Sequence, residues 1–459
     1  MALNPDTTKS LDEQWLDFIA QTADYFERYP FMAQMRQSLF RTLIMKQEAV
    51  GTSQVLKNIA HSLLRRANTD LSAAGRTDVI VWLSDSRTVS TENLLPVYQA
   101  LTERGISARV LVPRRVWDEM GSALPPGTLL FQAPRPATAQ SRWKDAWIDF
   151  QAALGQPLSA AQQRVFINHC LSADGNESEL LRVLQTLQTR IVLMASDHLM
   201  PNSSVCHAAR QLGRHSIVIQ HGVVQAFYTP LNADEMVIWG QTTQDELREF
   251  DVPVSRMRML GSPRYDTLPW LGDPSARKAF QDKLGLPDRP TFVFFSNGND
   301  PIRNSQEALD GCARWTAAAA ERFGDRANIL VRLHPNEDGS LYAGMDGLRV
   351  FKNETDLYLT LAGADAIGSL CSTALLEGLL YHKPILQYYA DGWPELANNW
   401  REGLATRITS DTTLVTTLQE LFATDPQAID TRTREQAARV FSHQGHATAA
   451  VAEYIASCL

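Results

Sequence analysis

Short apolar or β-branched runs alternate along most of this chain with polar turns and with longer stretches whose apolar residues fall three and four apart. The first kind predicts buried strands, the second helices packed on them. Val79 to Leu83, Ala108 to Val112, Arg190 to Met194, Ser216 to Gln220 and Glu235 to Trp239 are the strand-like runs of the first half, which Met259 to Asp266 closes. Thr291 to Phe295, Asn328 to Leu333, Leu348 to Phe351, Ala364 to Gly368 and Ile385-Leu386 repeat the pattern in the second half. Helical spacing fills the intervals, from Glu92 to Arg104 with Gly105 as its stop, from Pro201 to Leu212 and from Ser305 to Phe323. Strand, helix and strand in succession imply parallel pairing with right-handed crossovers. The predicted fold class is α/β, with two doubly wound, Rossmann-like domains over 76–262 and 263–459 and a ligand cleft between them.

Three regions depart from that rhythm. Residues 1–75 read as a helical extension, with Trp15, Phe18, Ile19, Ala23 and Phe26, then Met35, Leu39, Leu43 and Ile44 at helical spacing, a break at Tyr29-Pro30, and a further helix from Val55 to Leu64. Acidic and basic residues both decorate it, which favours packing on the next domain; the alternative is peripheral contact with a membrane surface. Pro113 to Pro136 is proline-rich and reads as surface connection, and Pro263 to Pro290 as an interdomain segment with one short helix. Trp143 to Leu187 and Thr431 to Leu459 are expected to be helical.

Composition narrows the function classes. With 459 residues the chain is long enough for two domains, and its 44% apolar and 20% charged residues exclude general disorder. A formal net charge of -8 with no dense basic run argues against nucleic acid as a partner. Five scattered cysteines, Cys170, Cys206, Cys312, Cys371 and Cys458, show neither zinc-site nor disulfide-scaffold spacing. The N-terminal residues lack a signal pattern and no run approaches a membrane span, so the expected location is cytoplasmic, including the inner face of the plasma membrane.

Candidate chemistry gathers at predicted strand ends. In Ile367 to Gln387 a loop feeds a helix followed at once by a strand, and Ser369, Ser372 and Thr373 stand where unpaired N–H groups favour an anion; the alternative is an ordinary capped helix. Glu377 follows one turn later on the same helix face. Ser296-Asn297-Gly298 resembles a turn that approaches phosphate, and Arg332 and His334 close the Asn328 strand. In the first half His221-Gly222 follows a strand, and Asp197 and Asp85 stand at the ends of two others, either as rival catalytic bases, Asp197 first, or as ordinary loop carboxylates. Tyr388, Tyr389 and Trp393 offer either a stacking platform or a packed loop. No Asp-x-Asp pair is placed to bring a divalent ion to a donor, so no metal is expected.

The order of these motifs, His-Gly after a strand in one half and His-Pro plus a Ser-Thr…Glu helix closed by Lys-Pro in the other, resembles the GT-B superfamily of nucleotide-sugar glycosyltransferases. Over residues 77–459 the chain looks most like bacterial surface-polysaccharide enzymes related to teichoic-acid glycerophosphate polymerases and capsule glycosyltransferases. The resemblance implies that His221 is the base, although Gln220 stands where those polymerases carry a tryptophan. It implies that His334-Pro335, Ser372 and Thr373 contact the donor phosphates and that Glu377 holds the ribose. The expected activity is transfer of a sugar or polyol phosphate from a nucleotide-activated donor, with no other cofactor, to a glycan or lipid-linked acceptor of a surface polysaccharide. Two readings stand beside it: a nucleotide-sugar 2-epimerase of the same fold, and a non-catalytic nucleotide- or carbohydrate-binding protein.

Overall fold

Val79–Trp82 (β1) and Thr291–Phe295 (β8) are buried along their whole length and lie inside two separate, wholly parallel sheets in the computed structural model, which describes residues 10–44, 68–134, 140–298, 305–345, 347–393 and 399–459. The first sheet adds Ala108–Pro113 (β2), Leu129–Phe131 (β3), Ile191–Met194 (β4), His215–Ile219 (β5), Glu235–Ile238 (β6) and Met257–Met259 (β7), in the order β3-β2-β1-β4-β5-β6-β7. The second adds Asn328–Arg332 (β9), Arg349–Phe351 (β10), Ala366–Ser369 (β11), Ile385–Tyr388 (β12) and Thr406–Ile408 (β13), in the order β10-β9-β8-β11-β12-β13. Each sheet runs outward in one direction and then restarts beside its first strand, between β1 and β4 in one and between β8 and β11 in the other. Such a restart leaves a crevice at the carboxyl ends of the strands.

Alternation along the strands divides the core. Ile80, Trp82, Val192 and Met194 face Leu180, Val183 and Leu184 of the helix Ala160–Thr186. Val79, Val81, Ile191 and Leu193 face Leu94, Val97 and Leu101 of the helix Thr88–Glu103 on the other side. Both faces being covered is why these strands read as unbroken apolar runs.

The described part of the N-terminal extension packs on the first unit. Its helix Leu11–Arg28 opens with a capping box in which the Glu13 amide donates to Ser10 Oγ at 3.2 Å and the Ser10 amide to Glu13 Oε2 at 2.7 Å. Trp15 Nε1 donates to the carbonyls of Ala226 (3.0 Å) and Thr229 (2.8 Å), and Phe18, Phe26 and Phe40 join Phe150 and Phe166 in one aromatic cluster. Each ring so buried is worth about 1.5–3 kcal/mol, so the apolar stripe of this helix is occupied by protein. The helix expected from Val55 to Leu64 lies outside the described residues.

Several expectations are corrected. The proline-rich stretch holds the helix Arg114–Met120 and the edge strand β3, too short to stand out among turn residues. The helices Gln241–Glu249 and Asp411–Ala423 and the edge strand β13 add to the pattern read from sequence, and the final helical region is two helices, Pro426–Val440 and Ala447–Ser457. The chain divides into one unit of residues 1–266 with 442–459 and another of 267–441, whereas the sequence reading ran the second domain from 263 to 459. The last helix belongs to the first unit because Val451, Ala452 and Ile455 complete the core over β1 and β4. Its first turn is capped by Asp266, whose carboxylate accepts from the amides of Ala447 (2.7 Å) and Thr448 (2.6 Å). The approach to it is tight: Gly261 has φ +80°, and a Cβ there would sit 2.2 Å from the Ser442 carbonyl oxygen.

Gly261→Ala is therefore expected to destabilise the first unit by about 2–4 kcal/mol, combining a left-handed backbone with overpacking. Urea unfolding followed by tryptophan fluorescence checks it, and an unchanged midpoint would refute this account of the closing segment.

Candidate active site at two sheet edges

In the first unit the loops after β1, β4 and β5 meet at the restart of the sheet. Asp85, past β1, is clasped by Arg87 through Nε (2.9 Å) and Nη2 (3.1 Å). Burial raises the Asp85 pKa, but the hydrogen bonds and charge of Arg87 outweigh it and the net shift is downward. Asp197, past β4, is fully buried. Its Oδ2 accepts from the amides of Asn232 (2.7 Å) and Ala233 (2.8 Å), and its Oδ1 lies 2.8 Å from His198 Nδ1. Desolvation raises the Asp197 pKa, while the His198 charge and these hydrogen bonds bring it below the usual value. Oδ2 thereby positions the segment before β6, while Oδ1, beside His198, is buried without a well-directed hydrogen bond, so Asp197 stands alongside His221 as a candidate base.

His221, past β5, also carries an unpartnered atom. Its ring packs on Tyr228 (centroids 6.0 Å apart), which also meets His198 edge-on at 5.0 Å, and its Nδ1 is buried without a hydrogen-bond partner. Burial first, then the charges of His198 and Arg87, pull the imidazole pKa down to about 4, with the Ala195 backbone and Asp85 acting the other way. The ring is neutral at pH 7, and since an unfolded imidazole takes up its proton near pH 6.5, its burial withdraws stability as pH falls from about 6.5 towards 4. Gln220 fixes the turn that carries it: its Oε1 accepts from the Trp239 amide (2.8 Å), its Nε2 donates to the Gly222 carbonyl (2.9 Å), and Trp239 Nε1 donates to its carbonyl (3.1 Å). A Cβ on Gly222 would meet nothing within 4 Å, so no packing demands a glycine there.

In the second unit the loops after β8, β9 and β11 are tied into one piece. Asn297 Oδ1 accepts from Ser369 Oγ (3.0 Å) and the Leu370 amide (3.2 Å), bridging the restart of the sheet. Ser296 Oγ accepts from the His334 amide (2.7 Å) and donates to the buried Glu337 carboxylate, which also accepts from that amide at 3.0 Å. Gly298, at φ +76°, lies so close to the His334 ring that a Cβ would fall 2.8 Å from Nδ1. His334 Nδ1 accepts from the Asn336 amide (3.2 Å), which in the neutral ring leaves Nε2 to donate outward. Ser296, Asn297 and Gly298 thus build the support for His334 and the Ser369–Ser372 loop.

The helix that follows, Ala374–Leu380, is seven residues long. Its start is partly self-satisfied: the Ser372 amide donates to Ser369 Oγ and the Ala374 amide to Ser372 Oγ, both at 3.2 Å. The open N–H groups expected there are fewer for that reason, and the hydroxyls of Ser372 and Thr373 remain as donors. Glu377 is 3% exposed. Arg332 lies half-buried over the Phe295 ring (5.8 Å), its pKa lowered by desolvation with Asp356 and Glu377 acting against that. Tyr388 and Trp393 are core residues, with Trp393 stacked on Trp315, so that part of the aromatic run is packing.

Among the described residues no three His, Cys, Asp or Glu side chains come together as metal ligands, and no helix is long and apolar enough to cross a membrane. No protein-family model matches the sequence, and no curated protein matches it. Solved structures do. A UDP-GlcNAc 2-epimerase from Neisseria meningitidis, bound to UDP-GlcNAc, aligns over 83% of this chain and 98% of its own at 12% identity and a TM-score of 0.52. The glycotransferase of kitacinnamycin aligns over 84% of this chain and 100% of its own at 16% identity and the same TM-score, 0.52. The fold is GT-B. In this GT-B chain the groups that sequence reasoning passed over, Gln220, Tyr228, Arg87, His198 and Glu337, act by holding others in place. Only a polar side chain inside or beside an apolar run hinted at them.

Asp197→Ala is expected to cost roughly 3–5 kcal/mol of stability, since it strands a buried histidine and two backbone amides. Chemical denaturation of the variant measures this. An unchanged midpoint with collapsed turnover would give Asp197 the role of base.

Proposed function

We propose that the protein is a glycosyltransferase that moves a sugar or polyol phosphate from a nucleotide-activated donor to a growing bacterial surface glycan. The observation that carries this reading is His221: a neutral, buried imidazole with an unpartnered nitrogen at the carboxyl edge of a parallel sheet. A buried polar atom without a partner asks for one, and an acceptor hydroxyl would supply it. In this scheme the hydroxyl proton passes to His221 as the hydroxyl oxygen attacks the donor, and the bond to the leaving nucleoside phosphate breaks. For the charge of a nucleotide phosphate the second unit offers His334 Nε2–H and the hydroxyls of Ser372 and Thr373, held by Asn297, Ser296 and Glu337. Arg332 adds a fixed positive charge, and Glu377 is assigned to the ribose. No step in the scheme calls for a metal or a cofactor besides the donor.

The second reading, a nucleotide-sugar 2-epimerase, is favoured by one finding: several similar solved structures are UDP-GlcNAc 2-epimerases, among them that of Methanocaldococcus jannaschii in complex with UDP-GlcNAc and UDP (11% identity, 83% of this chain and 99% of that one, TM-score 0.51). Incubation with UDP-GlcNAc alone separates the two, because an epimerase changes its sugar with no acceptor present.

His221→Ala is expected to bind nucleotide nearly as wild type while turnover falls by roughly 10²–10⁴-fold. A folded pKa of about 4 means that the base stays unprotonated down to that pH. The acceptor kcat/KM should thus be level through pH 6.5 and fall only as pH drops through about 4. An acid limb at an ordinary imidazole pKa, or one that persists in the variant, would remove His221 from this role. Turnover is expected to survive chelation by EDTA.

A further inference from the structure

A cavity of about 620 Å³ lies in the second unit at the end of the strands opposite the loops just described. Its lining includes Pro290, Asp365 and Pro384, which stand immediately before or near the amino ends of β8, β11 and β12. Trp270, Tyr381 and Phe422 give it an apolar wall, and Arg277, Lys383 and Arg434 a basic one. Two of the three cations are answered. Arg277 pairs with Asp365 at 2.6 Å, and Arg434 with Asp430 at 2.7 Å, where His382 also binds at 3.1 Å. Asp273, a further carboxylate of the lining, accepts from the Ser275 amide (2.8 Å) and hydroxyl (2.7 Å).

Lys383 is the exception. Among the described residues its ammonium has neither an ion pair nor a hydrogen bond. Burial lowers its pKa, with Asp365 and Asp430 acting against that and Arg277 with it. Trp270 and His382, on either side of the same cavity, hold left-handed backbone at φ +69° and +55°. At His382 that conformation ends the helix Ala374–Leu380: the His382 amide donates to the Leu379 carbonyl and the Lys383 amide to the Gly378 carbonyl, both at 3.0 Å, which aims the Lys383 side chain from a fixed turn.

We propose that this cavity is a second ligand site, which takes a small organic anion whose carboxylate or phosphate pairs with Lys383 and whose apolar body lies against Trp270 and Phe422. The half-buried, unpaired ammonium supplies the affinity and the aromatic wall selects an apolar body over a bare inorganic ion. The site is independent of the donor and acceptor groups assigned above.

Calorimetric titration of the full chain with phenyl phosphate and with benzoate tests it. Saturable binding of either probe is expected, weakened about tenfold or more in Lys383→Met and retained in Lys383→Arg. Tighter binding of phenyl phosphate marks a phosphate ester as the natural class, tighter binding of benzoate a carboxylate. A measurement on the unaltered protein covers the case in which Lys383→Met does not fold: acetylation of Lys383 by acetic anhydride, read by peptide mass spectrometry, should slow about tenfold at ten times the dissociation constant of the bound probe. Absence of saturable binding by both probes, wild-type affinity in Lys383→Met, or an unprotected Lys383 would overturn the proposal.

Discussion

Parallel pairing is the constraint on which the rest of the molecule depends. A parallel strand cannot turn back on its neighbour through a tight hairpin, so the chain returns through a helix and every loop leaving a strand emerges at the same edge. In the first sheet that rule collects Asp85, Asp197 and His221 at one edge, and in the second Ser296, His334 and Ser372. The restart beside β1, or beside β8, then opens the edge where two neighbouring loops diverge. The chemistry follows from where the strands end.

Within each edge most polar side chains are spent on one another. Asp197 holds two amides and an imidazole, Asn297 spans two loops, and Ser296 with Glu337 grips the amide of His334. These bonds sit in partly buried surroundings, where an unmet donor or acceptor costs about 1–3 kcal/mol, so the arrangement is rigid before any ligand arrives. What remains uncommitted is small: Nδ1 of His221 and Oδ1 of Asp197 on one unit, and Nε2 of His334 with two hydroxyls on the other. A site of this kind has its orientation built in, and a ligand has little left to organise.

The division between legible and illegible in the sequence has the same physical root. Central strands were readable because burial on both faces demands consecutive apolar residues, as in Val79–Trp82 and Thr291–Phe295. Edge strands β3 and β13, three residues each, carry no such demand and passed for loops. His221 and His334 could be found because a histidine just past an apolar run has few structural reasons to be there. Gln220 and Glu337 could not, because their work is hydrogen bonding to partners 19 and 41 residues away, and a sequence shows residue types without showing who accepts from whom. The place of the C-terminal helix is illegible for a related reason: its apolar spacing does not name the core it completes, which its packing on β1 and β4 and its capping by Asp266 show.

That helix also sets an order of events during synthesis. Residues 267–441 are inserted within a unit whose last 18 residues, 442–459, follow them in the chain. A ribosome adding about 5–20 residues per second delivers the whole of the inserted unit before the piece that covers Leu94, Val97 and Leu101. Until then the first unit carries an uncovered apolar face, while the second has everything it needs to fold. The usual N-terminal-first sequence of domain folding is inverted, and the later-made unit becomes the one that can be finished earlier.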